Sequence, residues 1–170
     1  MRKLLPLMLA VLALAVPLSA DRGEAPTEEE KNKALVARFY DEVWNKGNYD
    51  VADEVFAADY VRNDPRGGNP PGGPKGQKLI ARAFRKGCPD CVMTVDRLLA
   101  DGEFVVGQWK ISGTDQASNQ KIDFVGINIF RFKDGKVVEI WNHRDDLAYM
   151  QQTGRATLVR SAEQQAPKKE

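Results

Sequence analysis

One histidine and two cysteines are all the imidazole and thiolate ligands that this chain of 170 residues offers a transition metal, too few for the four nitrogen or sulfur ligands of a closed zinc site. A surplus of either charge is lacking too. Lys plus Arg number 25 and Asp plus Glu 24, a net charge of +1, which gives no long-range pull toward nucleic acid or an anionic membrane. No serine stands in a nucleophile elbow: Ser112 and Ser118 are placed apart from the sole histidine, His143. The Gly-rich stretch 67–76 lacks the strand-loop-helix setting and the Lys-Ser/Thr pair of a phosphate loop. What is there is ordinary globular material, 42% apolar and 29% charged, enough for one domain with one core.

The first twenty residues differ from the rest. Arg2 and Lys3 precede an apolar run from Leu4 to Val16, and Leu18-Ser19-Ala20 ends it with small residues. This pattern predicts a signal peptide over 1–20, cleaved after Ala20, and export to the periplasm or outside the cell. An uncleaved anchor is the competing reading, but Pro6 interrupts the run and a spanning helix needs ~20 apolar residues. In an oxidising compartment Cys88 and Cys91 of CPDC close a disulfide. A redox motif of that spacing sits at a helix start. Here it follows a predicted helix over 77–86, whose C-terminal end opposes a thiolate, so a structural clip is expected.

Residues 21–30 read as a flexible leader running into a helix start. Thr27 with Glu30 three residues on forms a capping box, and the helix runs to Gly47 with two adjacent apolar rows that include Phe39, Tyr40 and Trp44. Such aromatics serve as core or as one wall of a pocket. A short helix is expected over 49–57, then an extended segment stopped at Pro65. The loop RGGNPPGGPKG is either a plain connector or the rim of a cavity. Strands follow over 92–99, 104–112, 122–132 and 137–145, with Asp101-Gly102 and Asp134-Gly135 as hairpin turns. Helices first and an antiparallel meander after them define an α+β fold. A brief helix over 146–152 and a polar tail over 155–170 complete the chain.

If Asp134-Gly135 is a plain two-residue turn, counting outward pairs Phe130 with Glu139, Asn128 with Trp141, Gly126 with His143 and Phe124 with Asp145. Opposed residues share a face. That face then mixes aromatics with Asn128, Glu139, His143 and Asp145, the make-up of a small-molecule cavity. The opposite face carries Ile127, Ile129, Val138 and Ile140, framed by Arg131, Asn142 and Arg144, and suits packing or a homodimer contact. A carboxylate among Phe and Trp is desolvated and suited to acid or base work; His143 and Trp141 can donate to an oxygen gaining charge. The alternative for Asp145 is a cap on the last helix, with His143 at the rim.

The phrases NKALVARFYDEVWNKGNYDVADEVFAADYVRNDP, GPKGQKLIARAFRKGCPDCVMTV and KIDFVGINIFRFKDGKVVEIWNHRDDLAYMQQTG resemble the SnoaL-like polyketide cyclase or ester cyclase group of the nuclear-transport-factor-two-like superfamily. The resemblance covers residues 32–154, so 31–154 is taken as the domain. It implies a cone of helices around a strongly curved antiparallel sheet, with an apolar pocket inside. In the family's cyclases an acidic residue at the end of the last strand acts in an intramolecular aldol closure without metal or cofactor, and Asp145 matches it. Asn63 stands where the family commonly has His, and the connection before KIDF is cut to DQASNQ.

The expected function is therefore exported binding of a small, largely apolar molecule, with cofactor-free acid-base chemistry on it. Asp145 moves the proton; His143, Trp141 and Asn63 polarise a carbonyl; Asn128 and Glu139 orient them. Phe124 and Tyr40 line the pocket, and Tyr60 and Arg62 stand near its entrance. The rival is a non-catalytic binding module of the same fold, and a weaker one a thiol-disulfide protein built on CPDC.

Overall fold

The computed structural model describes residues 25–67 and 70–158; the predicted signal peptide and nearly all of the polar tail lie outside the described residues. Helix α1, Glu28–Arg38, opens on the expected capping box: the Thr27 side chain accepts from the Glu30 N–H and the Glu30 carboxylate accepts from that of Thr27. The helix does not run on unchanged to Gly47. From Phe39–Asn45 it widens into a π-helix, a winding that occurs in short stretches and often at functional sites. The wider turn keeps the consecutive aromatics Phe39 and Tyr40 both buried. Gly47, at φ +73°, ends it in a conformation that costs glycine least.

Helix α2 (Val51–Val55) leads straight into β1 (Phe56–Asn63), and α3 (Gly73–Gly87) follows the Gly-Pro loop with Pro near its start. Then come β2 (Val92–Asp101), β3 (Phe104–Asp115), β4 (Gln120–Lys133), β5 (Lys136–Arg144) and α4 (Asp146–Gln152). The five strands form one open, curved sheet in the order β1-β5-β4-β3-β2. The last four are the expected antiparallel meander, with both Asp134 and Gly135 at positive φ in the final turn. β1 extends the sheet by pairing parallel with β5, so the chain's first strand sits beside its last. The fold is α+β, as expected.

The helices cover one face of this sheet. Phe39 is the hub of the core, its ring 5.0 Å from Phe56 and 6.2 Å from Phe130. On the other face Val61, Val125 and Ile127 are exposed. Cys88 and Cys91 are bonded and clip the α3–β2 junction, where Gly113 of β3 makes room: a Cβ there would lie 2.6 Å from the Cys91 sulfur. Among the described residues no helix is long and apolar enough to cross a membrane.

Candidate functional site

The β4–β5 hairpin sets which residues face the helices. Lys133 opposes Lys136 and Phe132 opposes Val137, but the next pairs are Arg131 with Glu139 and Phe130 with Ile140. Val138 is an extra residue, a β-bulge. Beyond it the pairs are Asn128 with Asn142 and Gly126 with Arg144, replacing the plain-hairpin register in which Asn128 met Trp141 and Gly126 met His143. A shift of one residue exchanges the faces of everything beyond it. The physical reason lies in Val137 and Ile140, both fully buried. They are three apart, and a regular strand points such residues to opposite sides. The bulge buries both, and leaves Glu139 outside to accept from Arg131 at 2.9 Å.

Ile140, Asn142 and Arg144 thus join Asn128 on the covered face, around a cavity of about 180 Å³. Trp44 and Tyr40 of the π-helical segment form one wall. Gln77, Ile80 and Phe84 form another; their spacing of three and four puts them on one side of α3. Trp109 crosses the sheet, which Gly126 permits: a Cβ there would stand 2.2 Å from the indole. Gly107 gives the Tyr40 hydroxyl similar access, with a would-be Cβ at 3.2 Å.

A row of polar groups crosses this cavity. Tyr40 donates its hydroxyl proton to Asn128 Oδ1 at 2.9 Å, and the Trp109 indole N–H donates to the same oxygen. Asn128 donates to Asn142 at 2.8 Å, and Asn142 donates to Asp64 at 3.0 Å. Asp64 also accepts from Arg62 at 3.1 Å and from Arg66 at 2.8 Å. Burial works to raise the Asp64 carboxyl, but hydrogen bonds from Arg66 and the charges of Arg66 and Arg62 outweigh it and hold it down at about 2. Arg144 reaches Asp146, which also lies 3.8 Å from Arg66. Burial drives the Tyr40 hydroxyl well up, so it remains a neutral donor. Among the described residues that line the cavity there is no Asp, Glu or His, while Arg62, Arg66 and Arg144 all do.

The residues singled out from sequence fall into separate places. Asn128 and Tyr40 line the cavity. Phe124 is buried behind Trp109, ring to ring at 6.2 Å. Tyr60 is buried against Phe56 and donates to Gln77 Oε1 at 3.4 Å, with burial raising its hydroxyl to about 12. Trp141, His143 and Asn63 lie together on the outer face, in a shallow depression beside Pro65, and Asn63 donates to Glu139 at 2.9 Å. Asp145 is exposed and caps α4, accepting from the Ala148 N–H at 2.9 Å. Placing Glu139, Trp141 and His143 inside is corrected by the bulge. Asn142, Arg144, Arg66, Asp64, Gln77 and the inward turn of Trp109 escaped sequence reasoning. The signal for the first two was present: Val137 and Ile140 three apart in one strand.

Two buried side-chain atoms among the described residues have no hydrogen-bond partner, Trp44 Nε1 and Gln77 Nε2. Both residues line the cavity. The bonded cysteines approach Asp90, but sulfurs joined to each other are not thiolate ligands, and Asp90 is engaged by Thr114.

Comparison with known proteins places this geometry. The chain resembles a candidate polyketide cyclase from Bacillus cereus ATCC 10987 at 30% identity, over 78% of this chain and 87% of that one, with a TM-score of 0.68. A candidate polyketide cyclase from Acidithiobacillus ferrooxidans shares 26% identity over 77% of this chain and all of that one (100%), TM-score 0.64. A candidate SnoaL-like polyketide cyclase from Jannaschia sp. CCS1 has the same fold, with 22% identity, 79% and 99% coverage and a TM-score of 0.70. No curated protein matches the chain in sequence. The SnoaL-like polyketide cyclase model matches residues 34–153, which takes in every strand, the cavity and α4, and the chain therefore belongs to the SnoaL-like polyketide cyclase family.

Proposed function

We propose that this chain is an exported binder of one small, largely apolar molecule, held in the cavity between the aromatic wall and the Asn128–Asn142 row. The observation that carries this reading is the lining itself: aromatic and aliphatic on most sides, crossed by one fixed polar row, and free of any side chain that titrates near neutral pH. At about 180 Å³ the cavity suits a single ring with a short substituent, since a cavity of ~150 Å³ holds benzene. Burying ~150 Å² of apolar ligand surface supplies roughly 4 kcal/mol, a dissociation constant near 1 mM. Tighter binding has to come from the polar groups. The leader-like first twenty residues and the closed Cys88–Cys91 pair support an exported setting.

A second reading keeps catalysis. Asp145 stands at the end of β5, the position the family resemblance points to, and its neighbour Asp146 is bonded to Arg144 of the cavity wall. In that reading the Asp145 carboxylate takes a proton from a C–H next to a ligand carbonyl that an arginine polarises.

One experiment separates the two. Single-ring ketones, esters and acids are titrated into the protein in D₂O by NMR, following both binding and exchange of the protons beside the carbonyl. Saturable binding without enzyme-dependent exchange is expected of a binder. Exchange that disappears in Asp145→Asn at unchanged affinity would replace the binding reading with the catalytic one.

A further inference from the structure

The hydrogen-bond directions inside the cavity are one-sided. Every side-chain amide oxygen of the lining is already engaged: Asn128 Oδ1 by Tyr40 and Trp109, Asn142 Oδ1 by Asn128, and Gln77 Oε1 by Tyr60. What the lining leaves over are donors. Trp44 Nε1 and Gln77 Nε2 are buried and unpartnered, with Gln77 only 1% exposed, and a buried donor without an acceptor is costly. Arg62 carries five N–H donors and directs one to Asp64 from a side chain only 7% exposed. With Arg66 and Arg144, three guanidinium groups line the cavity against no carboxylate. The acids that balance them, Asp64 and Asp146, pair with them and are not part of the lining.

We propose that the ligand is a monocarboxylate with a compact apolar body, its ring or chain among Phe84, Trp109 and Ile140 and its ionised oxygens accepting from the leftover N–H donors. The inference rests on the cavity being the ligand site. A neutral alcohol or amide brings donors of its own into a site already rich in them. An ammonium group meets three guanidinium groups that only two carboxylates, both outside the lining, balance. A carboxylate brings only acceptors, in the planar arrangement that guanidinium matches with paired bonds. The cavity's size excludes a polycyclic acid and admits a phenyl-sized one.

The test uses the protein's three tryptophans as reporters, since Trp44 and Trp109 line the cavity and Trp141 stands outside it. Phenylacetate, phenylacetamide and 2-phenylethylamine, nearly equal in shape, are titrated up to about 10 mM, ten times the constant expected from apolar burial alone. The indole N–H signals are followed by ¹H–¹⁵N NMR, assigned with single Trp→Phe variants. Phenylacetate is expected to bind at least ~10-fold tighter than the amide, as charge-assisted bonds are stronger than neutral ones, with the amine weakest and the Trp44 signal moving while Trp141 stays. Arg66→Gln, at a partly exposed position, is expected to lower the preference for acid over amide. Equal binding of acid and amide, with Trp44 or Trp109 responding, overturns the carboxylate and leaves the binding reading standing. No response of Trp44 or Trp109 to any of the three, or a response of Trp141 alone, overturns both.

Discussion

The two faces of the β4–β5 hairpin are built from similar side chains and do different things. The covered face holds Phe130, Ile140 and Asn128, all buried, and its two amides, Asn128 and Asn142, are joined into one row. The outer face holds Ile127, Ile129 and Trp141 with His143 and Glu139, and Ile127 stays 43% exposed. Trp141 is tilted against Phe104 there, at 6.5 Å between rings. Apolar content does not tell the faces apart. Helix coverage does, and the bulge at Val138 decides which residues receive it.

The strongest way to break that difference is to insert one alanine between Val138 and Glu139. With the bulge kept, the insertion moves every later β5 residue by one place, turning Ile140, Asn142 and Arg144 outward while bringing Glu139, Trp141 and His143 inside. Loss of more than about 4 kcal/mol, or no folding at all, is expected in a urea melt, because an unpaired carboxylate enters the core and the polar row is cut. An insertion variant that melts within a few degrees of the parent would show that the register beyond Val138 does not sort the faces.

Matched truncations sharpen the same contrast. Phe130→Ala on the covered face is expected to cost about 3–5 kcal/mol through lost burial and a cavity. Ile127→Ala on the outer face is expected to cost under about 1 kcal/mol, since much of its surface already meets water. Denaturation of the two variants side by side checks it, and comparable losses would mean that another surface covers the outer face in solution.

The smallest effect is in pH. The Asp64 carboxyl is held at about 2 in the folded chain, below its ordinary 3.8, so the unfolded chain takes up the proton first as pH falls. The stabilisation is complete above pH ~4 and is lost as pH drops through ~2, and a shift of nearly two units corresponds to roughly 2 kcal/mol. Asp64→Asn is expected to flatten the acid limb of a stability–pH curve in that window. Glu139→Gln on the outer face, where bonds from Arg131 and Asn63 lower the carboxyl of the parent, is expected to flatten it less, because exposed ion pairs contribute little. A larger effect from Glu139 would reverse the assignment of faces.

Much of the architecture was legible because it is set locally. The Thr27–Glu30 box, the Asp134-Gly135 turn and the stop at Gly47 are each decided by residues within one turn of each other. Three features were not. The π-helical widening at Phe39 follows from packing two adjacent aromatics against Phe56 and Phe130, residues from distant strands. The parallel pairing of β1 with β5 joins segments about eighty residues apart, and nothing local specifies it. The bulge is an intermediate case: its cause, two buried residues at odd spacing, is in the sequence, but that Val137 and Ile140 are both buried is known only once the helices are in place. The candidate site inherited that difference. Asn128 lies before the turn and keeps its side, whereas every β5 residue beyond Val138 changes sides.

The row from Tyr40 and Trp109 through Asn128 and Asn142 to Asp64 has a direction. An indole nitrogen can only give a proton and a carboxylate can only receive one, so the two ends admit a single orientation of each amide between them. Rotating either amide by half a turn sets two donors or two acceptors against each other. The sheet thereby carries a fixed polarity across its covered face, anchored by one charge at its rim. Protonating Asp64 removes the charge at that end, yet the indole of Trp109 still cannot accept, so both amides keep their sense from the other end of the row.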